Sequence, residues 1–211
     1  MVSQQALSLI KEPAVPQENL QSEHVLDPAD ARWHRLQTII REHSLKTGQF
    51  VLSSGRRSTY LFQLRQTTML PEGAALIADI IVDFMKARSL SSIGGLEMGA
   101  VPIVAAVAAV SHLKNYSVSA FFVRKVKKEH GARERIDGYL AEGGEVLMID
   151  DVATTGGSIL NAIEGLREEG RSASVRTALA IIDREEGAAE NLAQHNIKLA
   201  AIFKKSDFPE I

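Results

Sequence analysis

The sequence predicts an α/β fold in which a mostly parallel central sheet is flanked by helices on both faces. Three observations carry that prediction. Strand-length apolar runs alternate with helix-period segments from about residue 72 onward. The run at residues 146–149, Val-Leu-Met-Ile, is continuously apolar rather than alternating, as expected of a strand buried on both sides. Glycines and polar turn residues stand at the ends of these segments.

Taken in order, residues 1–30 differ from the rest. They carry Pro13, Pro16 and Pro28 among scattered Gln, Glu and Asp, with little periodicity. The expectation is an extension, partly ordered at best, ahead of a single domain over residues 31–211. Asp27 or Asp30 then caps a helix in which Trp33, Leu36, Ile39 and Ile40 recur at helical spacing. Residues 72–88 read as a helix and 93–96 as a short strand with glycines. Ala100–Leu113 reads as a helix of small residues that tolerates Pro102 in its first turn. Strands follow at 118–123 and 146–149, then a helix at 156–169 stopped by Gly170. A strand at 175–182, a helix at 188–195 and a strand at 197–203 complete the pattern.

The chain has 211 residues, enough for one sizeable core, and a net charge of −2. That balance gives no global field toward nucleic acid or a membrane surface, so neither is expected as a partner. There is no cysteine, which excludes a disulfide framework and thiolate metal sites and suits a reducing cytoplasm. The apolar stretch at 100–110 contains Pro102 and is too short to span a bilayer. The N-terminal residues lack the pattern of a secretory signal.

The chemistry concentrates in Val146-Leu147-Met148-Ile149-Asp150-Asp151-Val152-Ala153-Thr154-Thr155-Gly156-Gly157-Ser158. In an open parallel sheet, ligands bind at the carboxyl ends of the strands. Asp150 and Asp151 fall at such an end. Gly156 and Gly157 permit a tight turn and close approach to a ligand. The hydroxyls of Thr154, Thr155 and Ser158, with the free N–H groups of the following helix start, form a cradle for phosphate. The run is neither a dinucleotide fingerprint nor a P-loop. A ribose 5-phosphate fits it, with carboxylates on the 2′- and 3′-hydroxyls and the loop on the phosphate. The plainer alternative is a turn-rich loop with one Asp capping the helix, although two adjacent carboxylates are costly there unless something uses them.

The same run resembles the phosphoribosyl pyrophosphate (PRPP) signature of the type I phosphoribosyltransferases: an apolar strand, two acidic residues, then Val-x-Thr-x-Gly-x-Ser/Thr. Arg124-Lys125-Val126-Lys127-Lys128-Glu129-His130-Gly131 reads physically as either a solvated charge run or a phosphate grip. Its spacing resembles the basic loop of one branch, the orotate phosphoribosyltransferases. Residues 50–62, containing Ser53, Ser54, Gly55, Tyr60, Leu61 and Phe62, are similar to that branch's N-terminal segment. Asp183-Arg184-Glu185-Glu186-Gly187 is similar to its Asp-Arg-x-x-Gly element. By itself, Arg184 reads as a surface ion-pair partner of Glu185 or Glu186, and the resemblance reverses that reading. Residues 95–102 resemble the turn and helix that hold pyrophosphate. Ser53 and Met98 stand where members carry Lys, and Gln63 where an Asp or Asn is common. The resemblance runs over about residues 35–205.

It implies a type I phosphoribosyltransferase fold with a small N-terminal hood and a flexible basic loop. The implied reaction converts orotate and PRPP to orotidine 5′-monophosphate and pyrophosphate, a pentosyl transfer in pyrimidine biosynthesis. Lys128, His130, Asp150 and Asp151 are implied as catalytic. Arg124, Lys125, Lys128, His130 and residues 150–158 are implied to bind PRPP. Thr154, Arg184, Ser53, Tyr60 and Leu61 are implied to bind orotate. Mg²⁺ carried mainly by PRPP and a homodimer with shared active sites are implied too. Two alternatives share these features: a transferase for another base, and a PRPP-binding regulator without catalysis.

Overall fold

The computed structural model of the chain describes residues 21–51, 57–126 and 134–211. Asp30 caps the first helix, accepting the Arg32 N–H on its side chain. Helix α1 (Ala31–Ile39) passes into a π-helical turn (Ile40–Ser44) and then an antiparallel hairpin of β2 (Leu45–Val51) and β3 (Arg57–Phe62). A short helix, α2 (Arg65–Thr68), leads to α3 (Pro71–Ala87), which starts with proline in its first turn. The remaining elements are β4 (Ser92–Gly95), α4 (Ala100–Leu113), β5 (Ser119–Val123), β6 (Ile136–Gly138), β7 (Glu145–Ala153), α5 (Gly157–Glu168), β8 (Ser174–Asp183), α6 (Ala188–Ala193) and β9 (Lys198–Lys204).

The main sheet has seven strands in the order β1-β9-β8-β7-β4-β5-β6, where β1 is Glu23–His24. All its pairings are parallel except β5 with β6. From β4 the chain moves outward to β5 on one side, then returns to β7 and continues through β8 and β9 on the other. The reversal falls between β4 and β7, the kind of crevice at which open α/β sheets bind ligands.

Alternation along β7 sorts its side chains between two cores. Leu147 and Ile149 pack with Ile77, Ile81, Ile103 and Phe203 on the face of α1, α3 and α4. Val146 and Met148 pack with Ile159, Ile163 and Leu192 on the face of α5 and α6. Both faces are buried, so the strand reads as a continuous apolar run.

The sequence-based boundaries differ from the structure at two places that matter. The strand expected at 146–149 continues through Asp150 and Asp151 to Ala153, because β8 keeps pairing with it as far as Ala153 opposite Asp183. Of the expected extension, residues 1–20 lie outside the described residues, while Glu23 and His24 add an edge strand against β9. Ser22 donates to Asp183 Oδ2 at 2.6 Å, and Val25 N–H donates to the Ala201 carbonyl. The start of the folded region therefore lies before residue 31. So short a strand carries no periodicity of its own.

Candidate active site

Strand β4 ends where Gly95 pairs with Ile149, so β7 runs on past it with β8 as its one neighbouring strand among the described residues. That overhang carries the two carboxylates. Consecutive residues of a strand point to opposite faces. Asp151 accordingly turns toward the start of α4, where a Cβ placed on Gly99 would lie 2.7 Å from its Oδ1. Asp150 turns toward α5 and Ser158. Because no strand among the described residues covers the open edge of β7, both reach one cavity of about 640 Å³. Its walls are the end of the hood hairpin and α2 (Leu61 to Gln66), the turn Leu96 to Gly99, Lys125, and Ser158 at the start of α5.

Asp150 is buried, and burial together with the neighbouring Asp151 charge pushes its carboxyl up to about 8. Each carboxylate also accepts a local backbone hydrogen bond: Asp150 Oδ1 from the Asp151 N–H at 3.0 Å, Asp151 Oδ1 from the Val152 N–H at 2.9 Å. The pair is thus fixed in place while one member resists ionisation. Such a site is suited to a ligand that brings hydroxyl donors or positive charge.

Thr154 to Ser158 make the turn from β7 into α5. Gly156 is in the left-handed region at φ 75° and lies against Leu192, which explains a glycine at that corner. Asn191 Nδ2 donates to the Thr155 carbonyl at 2.7 Å and ties the turn to α6. Val152 and Ala153 belong to the strand itself, and Ala153 is fully buried. They hold the turn rather than line the cavity.

The basic and base-side residues divide. Lys125 lines the cavity, its backbone N–H bound to Glu97 Oε1 at 2.9 Å. Arg124 is turned to Asp137 on β6, with contacts of 3.1 and 2.6 Å from Nε and Nη2. Arg135, which is buried just ahead of β6, donates from Nε to the Arg124 carbonyl at 3.0 Å and from Nη2 to Asn161 of α5 at 2.6 Å. Lys128, His130 and Ser53 lie outside the described residues. Leu61 lines the cavity, whereas Tyr60 and Arg184 are not among its lining residues. Arg184 is buried rather than a surface group. Its Nε donates to Tyr60 Oη at 3.2 Å, its guanidinium lies 4.7 Å from the Tyr60 ring centroid, and Nη2 meets Glu186 at 2.8 Å. Of the two adjacent glutamates, Glu185 instead accepts from Ser206.

Sequence reasoning did not assign Arg65 or Gln66 to the site, whereas Glu97 falls within the expected pyrophosphate turn at residues 95–102. Arg65 and Gln66 sit on α2, whose burial pattern in the sequence is a short i, i+3, i+4 apolar and hydroxyl face at Leu64, Thr67 and Thr68. That face was the available signal. Among the described residues no group of three or more His, Asp or Glu side chains is placed to hold a metal, and no helix is long and apolar enough to cross a membrane.

Residues 65–200 match the family model for the phosphoribosyl transferase domain. An orotate phosphoribosyltransferase of Rhodopseudomonas palustris (strain BisB5) is 44% identical over 179 residues, covering 82% of this chain and 94% of the relative. Among solved structures, the orotate phosphoribosyltransferase of Mycobacterium tuberculosis H37Rv in complex with Fe(III) dicitrate matches with a TM-score of 0.73 at 30% identity, over 84% of this chain and 99% of that one. The M. tuberculosis enzyme in complex with PRPP matches with a TM-score of 0.66 at 26% identity, over 85% and 92% of the two chains.

Proposed function

The chain belongs to the orotate phosphoribosyltransferases of the phosphoribosyl transferase domain family, and from that premise we propose that its cavity transfers the ribose 5-phosphate of PRPP to orotate. The products are orotidine 5′-monophosphate and pyrophosphate, a step of pyrimidine biosynthesis. The observation that carries this reading is the Asp150–Asp151 pair on the overhang of β7, in one cavity with Lys125 and Ser158.

The turn of Thr154, Thr155, Gly156, Gly157 and Ser158 holds the 5′-phosphate on its N–H groups and hydroxyls. Asp150 and Asp151 approach the ribose from the two faces of the sheet and accept its hydroxyl hydrogens. The bond from C1′ to the pyrophosphate oxygen breaks, and its electron pair leaves with pyrophosphate. The orotate N1 lone pair forms the new bond to C1′, and the N1 proton is released. Positive charge that develops at C1′ faces the carboxylate pair, which stabilises it. Lys125, with Lys128 and His130 of the basic loop, takes the charge of the departing pyrophosphate. Tyr60, Leu61 and Arg184 belong to the orotate side with Ser53 and Thr154; Arg184 bears on the base through Tyr60.

The donor set fits an Mg²⁺ ion bound mainly by PRPP oxygens and water, with the two aspartates as neighbours rather than a full ligand cage. When bound, the ion supplies neutralisation of the diphosphate. We place the enzyme in the cytoplasm as a homodimer whose basic loop serves the partner's site.

The test is direct. Purified protein with orotate, PRPP and Mg²⁺ forms orotidine 5′-monophosphate, and adenine, guanine and uracil are poor acceptors. Turnover of a purine in preference to orotate would overturn the acceptor assignment. For the shared site, Lys128→Ala and Asp151→Ala preparations, each nearly inactive, regain activity on mixing. No recovery after verified subunit exchange would remove the basic loop from the partner's site.

A further inference from the structure

Helix α2 is only four residues long, but it is firmly held. Leu64, Thr67 and Thr68 are buried at helical spacing. Thr67 Oγ1 lies 2.6 Å from Ser44 Oγ, and a Cβ at Gly73 would stand 2.4 Å from the Thr67 carbonyl oxygen. With that face fixed inward, Arg65 and Gln66 are forced outward, and both line the cavity of the carboxylate pair. Gln66 Nε2 donates to Gln63 Oε1 at 2.9 Å. The Arg65 guanidinium makes no hydrogen bond or ion pair among the described residues. The other arginines near the site are committed, Arg124 to Asp137 and Arg184 to Glu186.

We propose that Arg65 is a substrate-binding residue that grips the diphosphate group of PRPP. Among the described residues lining the cavity, Arg65 and Lys125 are the two cations. They share it with three carboxylates, those of Glu97, Asp150 and Asp151. A diphosphate carries more negative charge than one lysine offsets, and its non-bridging oxygens match the planar fork of a guanidinium. Arg65 supplies that fork from a backbone already held in place, so the ordering on binding is confined to its side chain.

The inference rests on the transferase reading, and the experiment separates the two. Wild-type enzyme is titrated with inorganic pyrophosphate and Mg²⁺ by calorimetry, and its KM values for PRPP and orotate are measured separately. Arg65→Ala is expected to weaken pyrophosphate binding and raise the KM for PRPP by about 10- to 100-fold, with the KM for orotate changed little. Arg65→Lys recovers part of the loss, since it restores charge without the fork. The side chain is exposed, so an unchanged melting temperature is expected for both variants. Equal pyrophosphate affinity in wild type and Arg65→Ala overturns the inference, and so does a change confined to the KM for orotate. A wild-type protein that forms no orotidine 5′-monophosphate would instead overturn the transferase reading, before any variant is compared.

Discussion

Gly99 lies against the carboxylate of Asp151: a Cβ built there would meet Oδ1 at 2.7 Å and Cγ at 2.9 Å. The start of α4 and the overhang of β7 are therefore in contact through an acid that the proposed chemistry uses. The side-chain end can turn aside, so Gly99→Ala should leave the fold intact and move the carboxylate. We expect a melting temperature close to wild type and a fall of about 10- to 100-fold in kcat/KM for PRPP, since a displacement near 1 Å at a reacting centre has costs of that order. A variant with wild-type kcat/KM would show that the position of Asp151 does not matter to the reaction.

Asp150 gives the free protein a pH dependence of known sign. Burial and the Asp151 charge raise its carboxyl from 3.8 to about 8 in the folded state. The folded protein then binds more protons than the unfolded chain between those values, so stability falls as pH rises through that window. The slope from this group is at most about 1.4 kcal/mol per pH unit. Denaturant unfolding at pH 5 and pH 8.5 should show the decline, and Asp150→Asn should flatten it and be the more stable protein at pH 8.5. A steeper decline in the variant would reverse the assignment.

Gly94 is confined by a ring. A Cβ there would lie 2.1 Å from Cζ of Phe121 on the neighbouring strand β5. Both residues are buried, so the strands must part or the ring must move. Gly94→Ala should cost about 1–3 kcal/mol or more in unfolding free energy. Adding Phe121→Leu should return part of it. Additive losses in the double variant would show that the ring is not the obstacle.

Tyr60 offers a test of the proposed orotate side of the site. Tyr60→Phe keeps the ring under Arg184 and removes the Oη that accepts from Nε at 3.2 Å. A lost hydrogen bond of this kind is worth about 1 kcal/mol, so the KM for orotate should rise several-fold with the KM for PRPP unchanged. Arg184→Ala should act in the same direction and more strongly. An equal rise in both KM values would assign Arg184 to general support of the hairpin.

The alternation of strands and helices, the helix Ala100–Leu113, and the glycine turn at residues 154–158 were all legible in the sequence. Each is encoded within a few consecutive residues by an apolar period, a glycine corner or a hydroxyl. For the same reason the run at 146–158 points to PRPP from its own residues. What the sequence by itself left open lies between segments far apart in the chain. That Asp150 and Asp151 serve opposite faces and still share one cavity depends on β4 stopping at Gly95 while β8 continues beside β7. The engagement of Arg124 by Asp137, the burial of Arg184 behind Tyr60, and the edge strand at Glu23 likewise come from residues brought together across the fold. So does the exposure of Arg65, which follows from Thr67 and its neighbours being buried against Ser44 and Gly73. Local pattern chooses a strand, a turn and a chemistry. Which charges remain without partners, and which face the same space, is settled only when the sheet is assembled and each group meets its neighbours.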